Sequence, residues 1–312
     1  MFGFRSDGRR LWRLDPIVQF TPYIMPTRAD AQNFCKQTVD YDVLANYIKK
    51  KREEGRTISF MTIIIASYVR IVAHYPYLNR FVMNKHIYAR DRISVSFAMV
   101  RFLENGEHET PIIKLEFDPS ETLFEISDKI EAAIAEARKP KSKNGTLDFA
   151  KGLLAIPLLP TLVVGLARIL DRYGLLPGLI YRVSPFHTSM FITNMASLGL
   201  SYLYHHIYNF GTTSQFLSLG KIERVVVPGG NKTVKFKNVI PIGVVTDERV
   251  CNGAEYAQAF ATMRNYLSKP ELLESPPEKV NWDIDFTERN RKRKMRDAAK
   301  AAKKEISHGA QS

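Results

Sequence analysis

Glu248, Asn252 and Gly253 close the run VVTDERVCNG, where an apolar strand gives way to a polar turn and then to the helix-like AEYAQAFATMRNYLSKPELL. A carboxylate in such a turn can serve as a general base. Its ordinary pKa, near 4.3, is low for that work at neutral pH unless burial raises it. The competing reading pairs Glu248 with Arg249 or a neighbouring arginine and leaves it a purely local role. Asn252 can hydrogen-bond but cannot form an ion pair. His205 and His206, in YHHIYNFG, are the other side chains suited to taking a proton near neutrality. On an extended chain an adjacent pair puts one ring on each face, so one of the two can enter a pocket. Against this stands a pair of packed or solvent-facing histidines between aromatic residues. His187 is a weaker candidate, and no zinc-type spacing unites these histidines.

The elements that must position these residues follow from periodicity. The prolines in Leu14–Pro26 predict an extended lead-in. Phe34–Val39 reads as a strand. Tyr41–Lys51 reads as a helix capped by Asp40 and ended by Gly55. Ser59–His74 is apolar nearly all round and predicts a central buried helix. Arg80–Met83 and His86–Tyr88 are short strands. Ile93–Phe102 and Ile112–Phe117 are longer ones, with a turn at Glu104–Glu109. Thr122–Ala137 is an amphipathic helix and Lys139–Gly145 a loop. His187–Asn194, Phe216–Lys221, Lys232–Ile240 and Ile242–Val245 complete the strands, with a turn at Pro228–Asn231. The last helix is expected to turn Ala257, Phe260, Ala261 and Leu267 to one face.

At 312 residues, with 45% hydrophobic and 25% charged residues, the chain can bury a substantial core. Cys35 and Cys251 offer neither a disulfide framework nor a ligand cluster, which points to a reducing, cytoplasmic setting. The start, MFGFRSDGRRLW, lacks the apolar core of a secretory signal. Net charge is +13, and Glu288–Glu305 alone holds nine Lys/Arg against three acids. That balance suits anionic partners such as a nucleotide cofactor, acidic lipid or nucleic acid, or simply a solubilising tail. The tail lacks the interleaved aromatic residues of a single-strand platform, so nucleic acid is not expected as the main partner.

In this order the motifs resemble the family of chloramphenicol acetyltransferase and the dihydrolipoamide acyltransferase (2-oxoacid dehydrogenase) catalytic domains. The family's terminal signature is a strand ending in His-x-x-x-Asp-Gly; here the His position reads Glu248 and the Asp position Asn252. The turn His74-Tyr75-Pro76-Tyr77-Leu78 and the strand Phe191-Ile192-Thr193-Asn194 answer to two further family motifs. The resemblance implies an α/β fold of the α+β two-layer kind, a mixed sheet covered by helices. It implies an acyltransferase using acyl-CoA as co-substrate, with sites in a channel at a homotrimer interface. It places Thr193 at the family's oxyanion-stabilising hydroxyl and Asn194 and Asn252 beside the substrates. Glu248, His205 or His206 is then the base. The loss of the signature His and Asp equally allows a catalytically silent trimeric binding or scaffold protein.

Leu147–Ser184 departs from the family. Its uncharged run, Gly152–Ala167, is shorter than the roughly 20 residues of a membrane span and is broken by prolines. Two short helices are expected, serving as a lid on an apolar acceptor pocket, as a membrane-surface contact, or as an ordinary hairpin over the core. The tail is the other candidate for membrane-surface contact. The expected organisation is an N-terminal arm (1–13), an acyltransferase-like domain (14–286) with an insertion at about 147–184, and a basic tail (287–312). No lipoyl-attachment domain or subunit-binding segment precedes the domain, so a stand-alone catalytic-type unit is expected.

Overall fold

The computed structural model describes residues 5–102, 108–139, 154–230, 233–284 and 286. The basic tail, all of the Lys139–Gly145 loop but Lys139, and the first residues of the expected insertion lie outside them.

A mixed sheet carries the fold. Its strands are β2 (Gln32–Asp40), β5 (Ile93–Ala98), β8 (Ile112–Phe117), β9 (Met190–Asn194), β10 (Gln215–Leu219), β11 (Glu223–Pro228) and β12 (Val234–Asp247). β9 runs parallel to both β5 and β10, and the remaining pairings are antiparallel. β2 pairs along one edge of β12, with β10 and then β11 along the other. The smaller strands are β1 (Gly8–Arg10), β3 (Arg80–Met83), β4 (His86–Arg90), β6 (Arg101–Phe102) and β7 (His108–Glu109); β1, β4 and β3 form a separate sheet.

One face of the large sheet is covered by α2 (Tyr41–Glu53), α3 (Phe60–His74), α4 (Leu123–Arg138) and α7 (Gly253–Ser268). This is the two-layer α+β arrangement expected. α3 is buried from Thr62 to Ala73, and Met190, Ile192, Leu217, Leu219, Ile242 and Val244 meet the helices in the main core. Asp40 caps α2, and Thr122 with Glu125 forms a capping box on α4.

Three expectations need correction. Leu14–Pro26 is not extended: it contains helix α1 (Pro16–Ile24). Pro16 occupies the first turn, where a missing N–H is harmless, and Asp15 caps the helix. Pro22 cannot donate to the Val18 carbonyl, and the Thr21 hydroxyl bonds that carbonyl instead, at 2.8 Å. The strands on either side of Pro241 are one continuous β12. Pro241 sits where the pairing edge passes from β10 to β11, and its carbonyl takes the Gly220 N–H, so its missing donor breaks no ladder bond to β2. The buried face of α7 is Tyr256, Ala259, Phe260, Met263 and Leu267, with Ala257 and Ala261 exposed. Among the described residues of 154–184, two helices form as expected, α5 (Leu159–Arg172) and α6 (Gly178–Val183).

Candidate active site

The face of β9, β10 and β12 that turns away from the helices carries the candidate chemistry. Phe191, Phe216 and Val245 form a small apolar cluster there with Ile207. One step along, Thr193 pairs in register with Ser218, and Ser218 with Gly243. Strand alternation puts all of these side chains on one face.

The chain from Gly199 to Gly211 crosses this face. The Ser218 hydroxyl accepts the Leu203 N–H at 3.0 Å and donates to the Leu203 carbonyl. This close crossing needs glycine beneath it. A Cβ on Gly243 would fall 2.2 Å from the Leu203 oxygen, and one on Gly220 2.3 Å from the Tyr202 nitrogen. Arg28, fully buried, pins the far end of the crossing by donating to the carbonyls of Asn209 and Thr213. Burial pulls its guanidinium down to about 10.

Thr193 is half-buried, and its hydroxyl makes only a long contact to Met195 Sδ, at 3.8 Å, among the described residues. His205 lies on the same sheet face. Its ring stacks on Phe216 with centroids 4.1 Å apart and planes 5° apart, and Phe216 stacks on Phe191. His205 Nδ1 is 2.9 Å from the His206 carbonyl. A carbonyl only accepts, so Nδ1 carries a proton, and in the neutral ring Nε2 is then the nitrogen with the lone pair. No hydrogen bond joins His205 to Thr193 among the described residues. His206 is exposed, edge-on to Tyr208. Asn194 is exposed, and its carbonyl takes the Ser197 hydroxyl.

Glu248 lies at the other end of the ladder. Thr193 is level with Gly243, five residues back along β12, a distance of roughly 16 Å at the usual rise per residue. The Glu248 backbone donates to the Ala31 carbonyl. Its carboxylate is exposed and makes no hydrogen bond or ion pair among the described residues. The pairing with Arg249 does not form, because Arg249 grips Asp247 with two side-chain bonds, 2.8 and 2.7 Å, both residues being buried. Asp247 and Arg249 thus form a buried ion pair beside the turn. Asn252 caps α7: its side chain accepts the Glu255 N–H, and Glu255 returns a bond to the Asn252 N–H.

His187 is drawn elsewhere. It precedes β9, is buried, and bonds Asp171 through Nε2 at 3.1 Å, while Arg5 bonds the same carboxylate at 2.8 Å. A cavity of about 340 Å³ lies beneath α6, lined by Arg90, Arg92, Lys114, Glu116, Tyr181 and His187 among others. It is polar and sits at the opposite end of β9 from Thr193. Burial brings Lys114 down to about 8, and its ammonium reaches the carbonyls of Tyr181, Ser184 and His187.

Residues 187–274 match the family model described as 2-oxoacid dehydrogenases acyltransferase (catalytic domain). The family resemblance holds. The matched stretch contains Thr193, both crossing histidines and the Glu248 turn. Among solved structures, the chain is similar to a dihydrolipoamide acetyltransferase of Azotobacter vinelandii. Identity is 12%, with 84% of this chain and 94% of that one covered and a TM-score of 0.52. A probable dihydrolipoamide acetyltransferase of Listeria monocytogenes gives 14% identity, 83% and 94% coverage, and 0.52. The cubic core of the pyruvate dehydrogenase multienzyme complex gives 12%, 82% and 88%, and 0.52. At these identities the shared property is the fold of an acyltransferase catalytic domain. A search of curated protein sequences found no significant match.

Proposed function

We propose that this chain is an acyltransferase that moves an acyl group from a coenzyme A thioester to a hydroxyl, thiol or amine on an apolar acceptor. The observation that carries the reading is the Thr193 hydroxyl, which among the described residues meets only the Met195 sulfur, on a sheet face that it shares with His205. In this reading Thr193 donates to the oxyanion of the tetrahedral intermediate. His205 Nε2 takes the proton from the attacking atom. The acceptor atom bonds the acyl carbon, the C–S bond breaks, and the proton ends on the coenzyme A thiol.

The Azotobacter protein's structure was studied for the roles of a serine, a histidine and an asparagine, the last two four positions apart, in its mechanism. Glu248 and Asn252 have that spacing, and Thr193 stands for the serine. On one chain Glu248 is too far from Thr193 to act on the same reacting atoms. It could contribute only across a subunit boundary, which favours a homotrimer with its sites between chains. The test follows thiol release from acetyl-CoA with a panel of small apolar alcohols, thiols and amines. Transfer that is abolished in Thr193→Ala supports the proposal. Coenzyme A binding without any transfer overturns it in favour of a silent trimeric binding protein, the alternative suggested by the exposed, unpartnered Glu248 in the histidine's place.

A further inference from the structure

Helix α5 is amphipathic the wrong way round. Its aspartate, Asp171, is 2% exposed and faces the body, where Arg5 and His187 hold it. Leu162, Leu166, Ile169 and Tyr173 recur at spacings of four, three and four, which sets them on one stripe of the helix. At 100° per residue that stripe lies opposite Asp171. These four side chains are between 43% and 66% exposed. α6 repeats the arrangement: Tyr181 is buried, while Leu179 and Val183, one turn apart, are 69% and 65% exposed. A helix packed on a soluble domain normally hides its apolar stripe. Contiguous apolar surface left outside marks a binding face.

The charges around the stripe select the partner. Arg168, Arg172 and Arg182 are exposed, and the only acid from 154 to 184 is the inward Asp171. Arg172 also bonds Asn84, at the tip of the β3–β4 hairpin beside Lys85. Two copies meeting stripe to stripe would bring these arginines together without a carboxylate to pair them. An anionic lipid surface meets both requirements, taking the apolar side chains below its headgroups and the arginines at their level. None of the described helices is long and apolar enough to cross a membrane, so the contact lies along the surface.

The geometry points to a peripheral membrane-docking face formed by α5 and α6, which seats on anionic phospholipid. This inference is independent of the acyl-transfer reading.

The test is co-sedimentation of the full chain with vesicles of phosphatidylcholine alone and of phosphatidylcholine and phosphatidylglycerol in equal amounts. The protein should sediment with the anionic vesicles and be released by salt. The double variant Leu166→Asp/Ile169→Asp should lose roughly tenfold or more of its affinity, as charges on a lipid-facing surface do. Arg168→Gln/Arg182→Gln should lose a smaller part. All four positions face outward, so circular dichroism and elution volume should be unchanged. As a second readout, Leu162→Trp should show blue-shifted emission on anionic vesicles. Three results would overturn the inference: no binding to either vesicle, undiminished binding of the aspartate variant, or self-association in solution that Leu166→Asp dissolves.

Discussion

Thr193 and Ser218 stand side by side across the parallel β9–β10 ladder, yet their hydroxyls have opposite fates. Ser218 is bound at both ends to Leu203, whereas Thr193, among the described residues, meets only the Met195 sulfur. Ser218→Ala should therefore behave as a structural lesion. It strands a backbone N–H and carbonyl and lowers stability by about 1–3 kcal/mol. Thr193→Ala should hardly move the melting temperature, but should cut transfer by about 10²–10³-fold if its hydroxyl meets the oxyanion. Thermal melts and thiol-release rates on the two variants separate these roles.

Gly243→Ala tests the crossing segment. The added methyl meets the Leu203 carbonyl, two residues before the His205 ring that stacks on Phe216. Stability should fall by about 1–3 kcal/mol, as in overpacked sites. Transfer should fall with it, while Gly230→Ala, where nothing lies within 4 Å of the new methyl, leaves both intact.

The identity of the base can be read from pH profiles. If His205 takes the proton, His205→Gln removes the imidazole-range limb of the rate profile and most of the rate, about 10²–10⁴-fold. Glu248→Gln then leaves the limb in place. The reverse pattern assigns the base to Glu248 of a neighbouring subunit, and Glu248→His should in that case raise the rate at neutral pH.

Much of this arrangement could be read from the sequence because it is local. The strand–turn–helix of VVTDERVCNG, the cap at Asp40, and the all-apolar α3 depend on near neighbours. What could not be read depends on partners distant in sequence. Nothing in FLSLG says that Ser218 grips Leu203. The pairing of Arg249 with Asp247 rather than Glu248 was present in the text as D-E-R, but periodicity cannot choose between acids one and two residues away. The α1 helix is hidden because its prolines signal extended chain, although Pro16 removes an N–H that the first turn does not need.

Asp171 supplies a pH prediction. Burial raises its carboxyl pKa, but the hydrogen bond and field of His187, with the charge of Arg5, outweigh this and hold it below the ordinary carboxylate value. A depressed folded-state value means a contribution that is complete above the ordinary value, near 4, and lost as pH falls through the folded value. Acid unfolding of the wild type should steepen in that range, and Asp171→Asn should flatten it. At neutral pH the variant leaves Arg5 without one of its carboxylate partners and should weaken the docking of α5 by about 3–5 kcal/mol, read by hydrogen exchange. An unchanged acid limb would show that the linkage lies elsewhere.

The bond between Arg5 and Asp171 spans 166 residues of chain. A contact of that reach forms only after the intervening sheet has assembled, because the loop it closes is otherwise too costly in entropy. α5 and α6 therefore dock late. They should also come away early in partial opening, and a protease meeting the native protein should cut there before it reaches the sheet.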